Sequence, residues 1–97
     1  MFTLILTIGF FTIIQAQTIK LSGKINNGKN EPLAGVSVKI VGSASGTTSD
    51  VEGRFSLNLS AGKKYTLEFT AIGYEVKTVS EVEVKGGQAN ELDIVLE

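Results

Sequence analysis

Histidine, cysteine and tryptophan are all missing from this 97-residue chain, and proline occurs once. Each absence removes a class of chemistry. Without cysteine there are no disulfides and no thiolate nucleophile, so the fold must be held by its core. Without histidine or cysteine, a catalytic zinc ion would have only carboxylates to bind it, outside the usual ligand sets. A Ser–His–Asp triad has no base. An excess of positive charge is missing too: nine Lys+Arg against ten Asp+Glu give a formal net charge of −1. Nucleic-acid binding draws its affinity from clustered Lys and Arg. Here the one adjacent basic pair, Lys63-Lys64, sits in a turn-like Ala-Gly-Lys-Lys run and is expected in solvent. No nucleic-acid partner and no cofactor are expected.

Charge is also absent from the start of the chain, where every charged side chain lies at or after Lys20. Residues 1–16, MFTLILTIGFFTIIQA, are apolar apart from threonines, one glycine and one glutamine. A spanning helix needs about 20 such residues, so this run is too short to be one. Its length suits the apolar core of a secretory signal, although only the terminal amine supplies positive charge ahead of it. Ala16 places a small residue before a cut at Gln17. The expectation is a signal peptide over 1–16 and one exported domain over 17–97. No cysteine follows the apolar run, which removes a lipid-anchored mature N-terminus.

The domain is organised around Glu31 to Phe55, EPLAGVSVKIVGSASGTTSDVEGRF. Val36, Val38 and Ile40 alternate with Ser37 and Lys39, the period of a strand with one buried face. Asp50-Val51-Glu52-Gly53 suits a type I turn, with the Asp side chain bonding back to turn amides and Gly accepting positive φ. Phe55, Leu57 and Leu59 form the next inward row. Before this stretch, Ile19, Leu21 and Ile25 share a face that Gly23 interrupts, marking a bulge or close packing. Asn26-Asn27-Gly28 signals a turn. After it, Tyr65, Leu67, Phe69 and Ala71 alternate, Ile72-Gly73-Tyr74 closes that strand, and Val76 to Val84 forms another. The phase of this last strand slips near Thr78–Ser80, as a bulge would cause. Leu92, Ile94 and Leu96 form a closing strand. Seven short strands with turn clusters between them, and no helical window after the signal, indicate an antiparallel β-sandwich. Its predicted core holds Val36, Val38, Ile40, Phe55, Leu57, Leu67 and Phe69.

Several motifs in order carry a resemblance. Gly23-x-Ile25 is followed by Glu31-Pro32-Leu33-Ala34-Gly35-Val36-x-Val38-x-Ile40-x-Gly42. Then come Gly46-Thr47-Thr48-x-Asp50-x-x-Gly53-x-Phe55-x-Leu57 and Ile72-Gly73-Tyr74. Together they resemble the carboxypeptidase regulatory-like domain over Thr18 to Glu97. The resemblance implies a seven-stranded, transthyretin-like (Ig-like) sandwich. In that family the module stands beside the catalytic domain of metallocarboxypeptidases. It also forms the N-terminal extension of TonB-dependent outer-membrane receptors that import glycans and other nutrients. A signal directly before the domain looks most like the second setting. A receptor would continue past Glu97 into a TonB-contacting segment, a plug and a barrel, so the expectation is either a receptor fragment or a free-standing copy. An adhesin-type stalk repeat also uses Thr-x-Asp-x-x-Gly-x-Phe turns, but a single copy argues against it.

The candidate chemistry is thin. Asp50/Glu52 and Glu81/Glu83 are spaced i, i+2, which on a strand points both carboxylates into solvent, where neither has reason to shift its pKa. A calcium site at Asp50 and Glu52 lacks the 12-residue ligand rhythm of a dedicated loop, so Asp50 and Gly53 are assigned to the turn itself. A sugar site would want exposed flat aromatics. With Tyr65 turned inward, Tyr74 is the one candidate platform, its structural alternative being a corner residue whose hydroxyl bonds backbone. Asp50, Gly53, Gly73 and Tyr74 are thus structural turn residues, and no catalytic or metal-binding residue is assigned. The expected role is a non-catalytic accessory domain in the periplasm or at the periplasmic face of the outer membrane. Its partner would be an envelope protein, such as an outer-membrane receptor or its lipoprotein partner. The alternative is a weak carbohydrate-binding module. The closing strand, guarded by Glu91, Asp93 and Glu97, is a candidate edge for strand addition.

Overall fold

The computed structural model describes residues 18–97, so the expected signal over 1–16 lies outside the described residues. Within them, seven strands follow one another: β1 (Thr18–Asn27), β2 (Ser37–Ile40), β3 (Gly46–Thr48), β4 (Arg54–Ser60), β5 (Tyr65–Thr70), β6 (Lys77–Val82) and β7 (Glu91–Leu96). They form two sheets, β4-β1-β7 and β3-β2-β5-β6. The alternating apolar residues of both sheets face each other across the interior, where Leu21, Ile25, Val36, Val38, Ile40, Phe55, Leu57 and Leu59 are buried. Leu67, Phe69, Val82, Val84, Ile94 and Leu96 complete the core. Phe55 and Phe69 meet edge to face across the sheets, ring centroids 5.6 Å apart and planes at 72°. That arrangement places a ring's positive edge against its neighbour's negative face.

One pairing departs from the antiparallel pattern. β1 runs antiparallel to β4, with Leu21 opposite Leu57, but parallel to β7, with Ile25 opposite Ile94. Side-chain alternation is the same in both directions, so it carries no information about strand polarity. A parallel pair needs a crossover, and here the intervening strands supply it. β1 is long enough to serve both neighbours: Thr18–Lys24 pair with β4 and Ser22–Asn27 with β7.

Gly23 lies where all three strands run side by side, opposite Phe55 on one flank and Leu92 on the other. A Cβ there would fall on the Leu92 carbonyl oxygen and the Phe55 ring. The glycine therefore marks close packing: the Phe55 ring occupies the space a side chain would take. The slip expected near Thr78–Ser80 falls at Ser80–Glu81. Tyr65 and Leu67, two apart on β5, face Val82 and Val79, three apart on β6. The extra residue is accommodated by Glu81 at φ 62°. Val79 is half-buried, whereas Val76 stays exposed.

Candidate functional site

At one end of the sandwich the β1–β2, β3–β4 and β5–β6 connections lie together, because Ser37 faces both Thr48 and Thr70, and Phe69 faces Lys77. The β3–β4 connection is the Asp-x-x-Gly turn. Asp50 Oδ1 accepts from the amides of Glu52 and Arg54, both at 2.9 Å. Gly53, at φ 78°, donates to the Asp50 carbonyl at 2.9 Å, and its own carbonyl accepts from Ile25 at 2.8 Å. One oxygen of the Asp50 carboxylate is thus spent on backbone. Glu52 turns to Arg54 at 3.5 Å, and Glu81 to Lys64 at 2.9 Å, all largely exposed. Neither carboxylate pair converges on a common point, and among the described residues no cluster of three or more Asp or Glu could hold a metal ion.

Next to this turn sits Ser49, the one polar residue buried as a whole among the described residues. Gly35, at φ 73°, donates to the Ser49 carbonyl, while the Ser49 amide donates to the Val36 carbonyl, each at 3.0 Å. Two residues therefore oppose one, with glycine first in the left-handed region, which is the form of a G1 bulge. Such a bulge leaves one amide over. The Ser49 hydroxyl accepts it, from Val36 at 2.9 Å, and donates to the Leu33 carbonyl at 2.7 Å. Ser49 was missed in the sequence, where it reads as one polar residue of a Ser/Thr-rich run.

The Ile72-Gly73-Tyr74 corner completes this end. The Tyr74 amide donates to the Ala71 carbonyl at 3.2 Å, and Gly73 has φ 87°. Ile72 is fully exposed, whereas Tyr74 is half-buried and packs against the core. The Tyr74 ring also lines a cavity of about 400 Å³ with Asn27, Gly28, Lys29, Glu31, Leu96 and Glu97. The β1–β2 loop that walls it is ordered by Asn27, whose Oδ1 accepts from the amides of Lys29 at 2.9 Å and Glu31 at 3.0 Å. The phenol that bonds backbone is that of Tyr65, which accepts from the Ser60 amide at 3.0 Å. That bond, favouring the phenolate, holds the Tyr65 pKa below the ordinary tyrosine value.

A second, larger concavity of about 750 Å³ lies along the three-stranded sheet, lined by Lys20 and Lys24 of β1, Arg54 of β4, and Glu91 and Asp93 of β7. Its charges are of mixed sign and it offers no exposed aromatic surface beyond the edge of Phe55. The sheet edges flanking these surfaces are blunted. On the free side of β4, Asp50 takes both main-chain groups of Arg54 and the Tyr65 hydroxyl takes the Ser60 amide. Strand alternation leaves only Ser56 and Asn58 open between those plugs. β7 is an edge as expected, yet its far half is covered: Lys77 Nζ donates to the Val95 carbonyl at 3.3 Å and the Glu75 amide to the Glu97 carbonyl at 2.8 Å. On β4 and the far half of β7, few main-chain groups remain to template another strand.

The carboxypeptidase regulatory-like domain matches residues 20–97 of the sequence. The chain belongs to the carboxypeptidase regulatory-like domain family. No curated protein matches it. Among solved structures, chains from two type II cohesin–X-dockerin complexes of Acetivibrio cellulolyticus share the fold. One is a C-terminal interface mutant, with TM-score 0.64 and 26% identity; the other is an N-terminal interface mutant, with TM-score 0.62 and 25% identity. Each match covers 79% of this chain and 56% of the neighbour, so the regulatory-like domain spans little more than half of those chains.

Proposed function

We propose that this regulatory-like domain is a non-catalytic interaction module of the cell envelope. It would act in the periplasm or at the periplasmic face of the outer membrane, as the N-terminal extension of a TonB-dependent nutrient receptor does. The observation that carries the reading is where the polar groups lie. Among the described residues Ser49 is the one polar residue buried as a whole, and its hydroxyl both accepts from and donates to backbone; Asn26 Oδ1 is the buried side-chain oxygen left without a partner. Among the described residues no titratable side chain is buried beside another, which gives acid–base or nucleophilic work no constellation there. What the surface offers is contact. Solved structures of similar fold come from protein–protein complexes, which supports the same reading.

Export follows from the apolar segment over 1–16. The test is cell fractionation with N-terminal sequencing of the exported material: a mature terminus at Gln17 in the envelope fraction supports the assignment, and an intact Met1 in the cytosol overturns it. Co-purification with a receptor or lipoprotein after in-cell crosslinking supports the interaction role, whereas hydrolytic turnover by the purified protein refutes it. A glycan-binding role is the second reading, and its support is the Tyr74 ring lining a cavity with Asn27 and Glu31. A calorimetric titration with soluble oligosaccharides decides between the two.

A further inference from the structure

We infer that the Tyr74 end of the sandwich docks a basic side chain, Lys or Arg, carried on an apolar segment of the partner protein. The inference rests on the interaction reading above and supplies the partner's chemistry. Three observations converge. The first is apolar exposure in a fixed place. Ile72 is fully exposed and Val76 is 56% exposed, on either side of Tyr74. Their loop is tied down by the Tyr74 amide to Ala71 and by the Glu75 amide to Glu97. An isoleucine held wholly in water by a hydrogen-bonded turn gains nothing from the fold of its own domain. It is available to a partner.

The second observation is the cavity of about 400 Å³ beside that loop, lined by Tyr74 and Leu96 among others. It is wide enough for one long side chain. The third is charge. Glu31 and Glu97 line the cavity, and Glu75 follows Tyr74 directly. The cavity itself thus holds two carboxylates and one ammonium, Lys29, and just outside it Glu75 is matched by Lys77. Lys77 donates to the Val95 carbonyl, which is neutral and leaves its positive charge in place, so the balance at this end is one negative charge in surplus. A cation seated beside Tyr74 therefore meets an aromatic side chain and a net negative charge together, while Ile72 and Val76 receive the flanking apolar residues. An anionic membrane would be repelled by the same carboxylates, and a neutral sugar could use them as hydrogen-bond acceptors but not their charge.

The purified full chain is titrated with a heptapeptide carrying a central lysine flanked by leucines, and with its twin carrying a central glutamate, while backbone amide NMR shifts are followed. Saturable shifts at Gly28, Glu31, Tyr74 and Leu96 with the lysine peptide alone are expected. The double variant Glu31→Lys/Glu75→Lys, both exposed and so compatible with folding, should weaken that binding about five- to ten-fold. Equal response to both peptides, shifts confined to the outer face around Lys20 and Lys24, or binding of a cello-oligosaccharide here without the lysine peptide would each overturn the inference. A photo-crosslinking residue at position 72 or at position 56 then separates the two levels in cells. Adducts from position 72 alone are expected. Adducts from position 56 alone would overturn this site and leave the interaction role standing, and adducts from neither would overturn both.

Discussion

Replacing Ser49 with alanine tests how the central bulge is held. The hydroxyl satisfies two backbone groups at once, the Val36 amide at 2.9 Å and the Leu33 carbonyl at 2.7 Å. These two losses are unequal. Val36 is completely buried, so its amide would be left with no partner and no route to water, while Leu33 is only partly buried and its carbonyl can take up a water molecule. An orphaned buried donor costs about 1–3 kcal/mol, and the loss of the second bond adds up to about 1 kcal/mol, for a total near ~2–3 kcal/mol. For a domain of this size the urea slope is about 1 kcal/mol/M, so the unfolding midpoint should fall by roughly 2–3 M. The melting temperature should drop by about 10–20 °C. Fluorescence or circular-dichroism denaturation of wild type, Ser49→Ala and Ser49→Cys measures both. The cysteine variant keeps a weak donor and acceptor and should lie between the other two. A loss below about 0.5 kcal/mol in Ser49→Ala would refute the claim that the Val36 amide depends on this hydroxyl.

Three further perturbations follow from the packing. Phe69→Ala removes a fully buried ring and its edge-to-face contact with Phe55, and should cost about 3–5 kcal/mol by chemical denaturation. Gly23→Ala drives a methyl into the Phe55 ring and the Leu92 carbonyl, and should cost at least about 1–3 kcal/mol; adding Phe55→Leu should recover part of that, a coupling that a double-mutant cycle measures. Tyr65→Phe leaves the partly buried Ser60 amide without its acceptor, at about 0.5–1.5 kcal/mol near neutral pH. Because the folded-state phenol pKa is depressed, the ionised form contributes stability that is present above the unfolded value of about 10 and is lost as pH falls through the folded pKa. The gap between wild type and Tyr65→Phe should therefore widen as pH rises toward and past about 10, and a constant or shrinking gap would contradict the hydrogen bond.

What the sequence shows of the fold is whatever a window of a few residues can hold. Alternation in Val36–Ile40 and Phe55–Leu59 fixes which face of each strand turns inward, and Asp50 with Gly53 specifies a turn whose bonds close within five residues. Strand direction is not held in any window, which is why the parallel β1–β7 pair is invisible until the 63 residues between Asn27 and Glu91 have been placed (91 − 27 − 1). Ser49 fails for a related reason. Its burial depends on Gly35, fourteen positions earlier (49 − 35), taking the left-handed conformation and freeing the Val36 amide. The one local hint was a glycine immediately before an alternating row, which is how a G1 bulge begins. The Tyr74 end was half legible: the turn belongs to its own three residues, but the cavity is walled by Asn27–Glu31 and by Leu96, segments on either side of it in sequence. Exposure of Ile72 was likewise hidden, since an apolar residue at a strand end reads as core by default. A strand pattern reports what the domain's own interior needs, and it is silent about apolar side chains that the interior leaves to a partner. Ile72 is therefore informative because it breaks the pattern: it sits outside the buried row on a turn held by hydrogen bonds, where packing within the domain does not account for it.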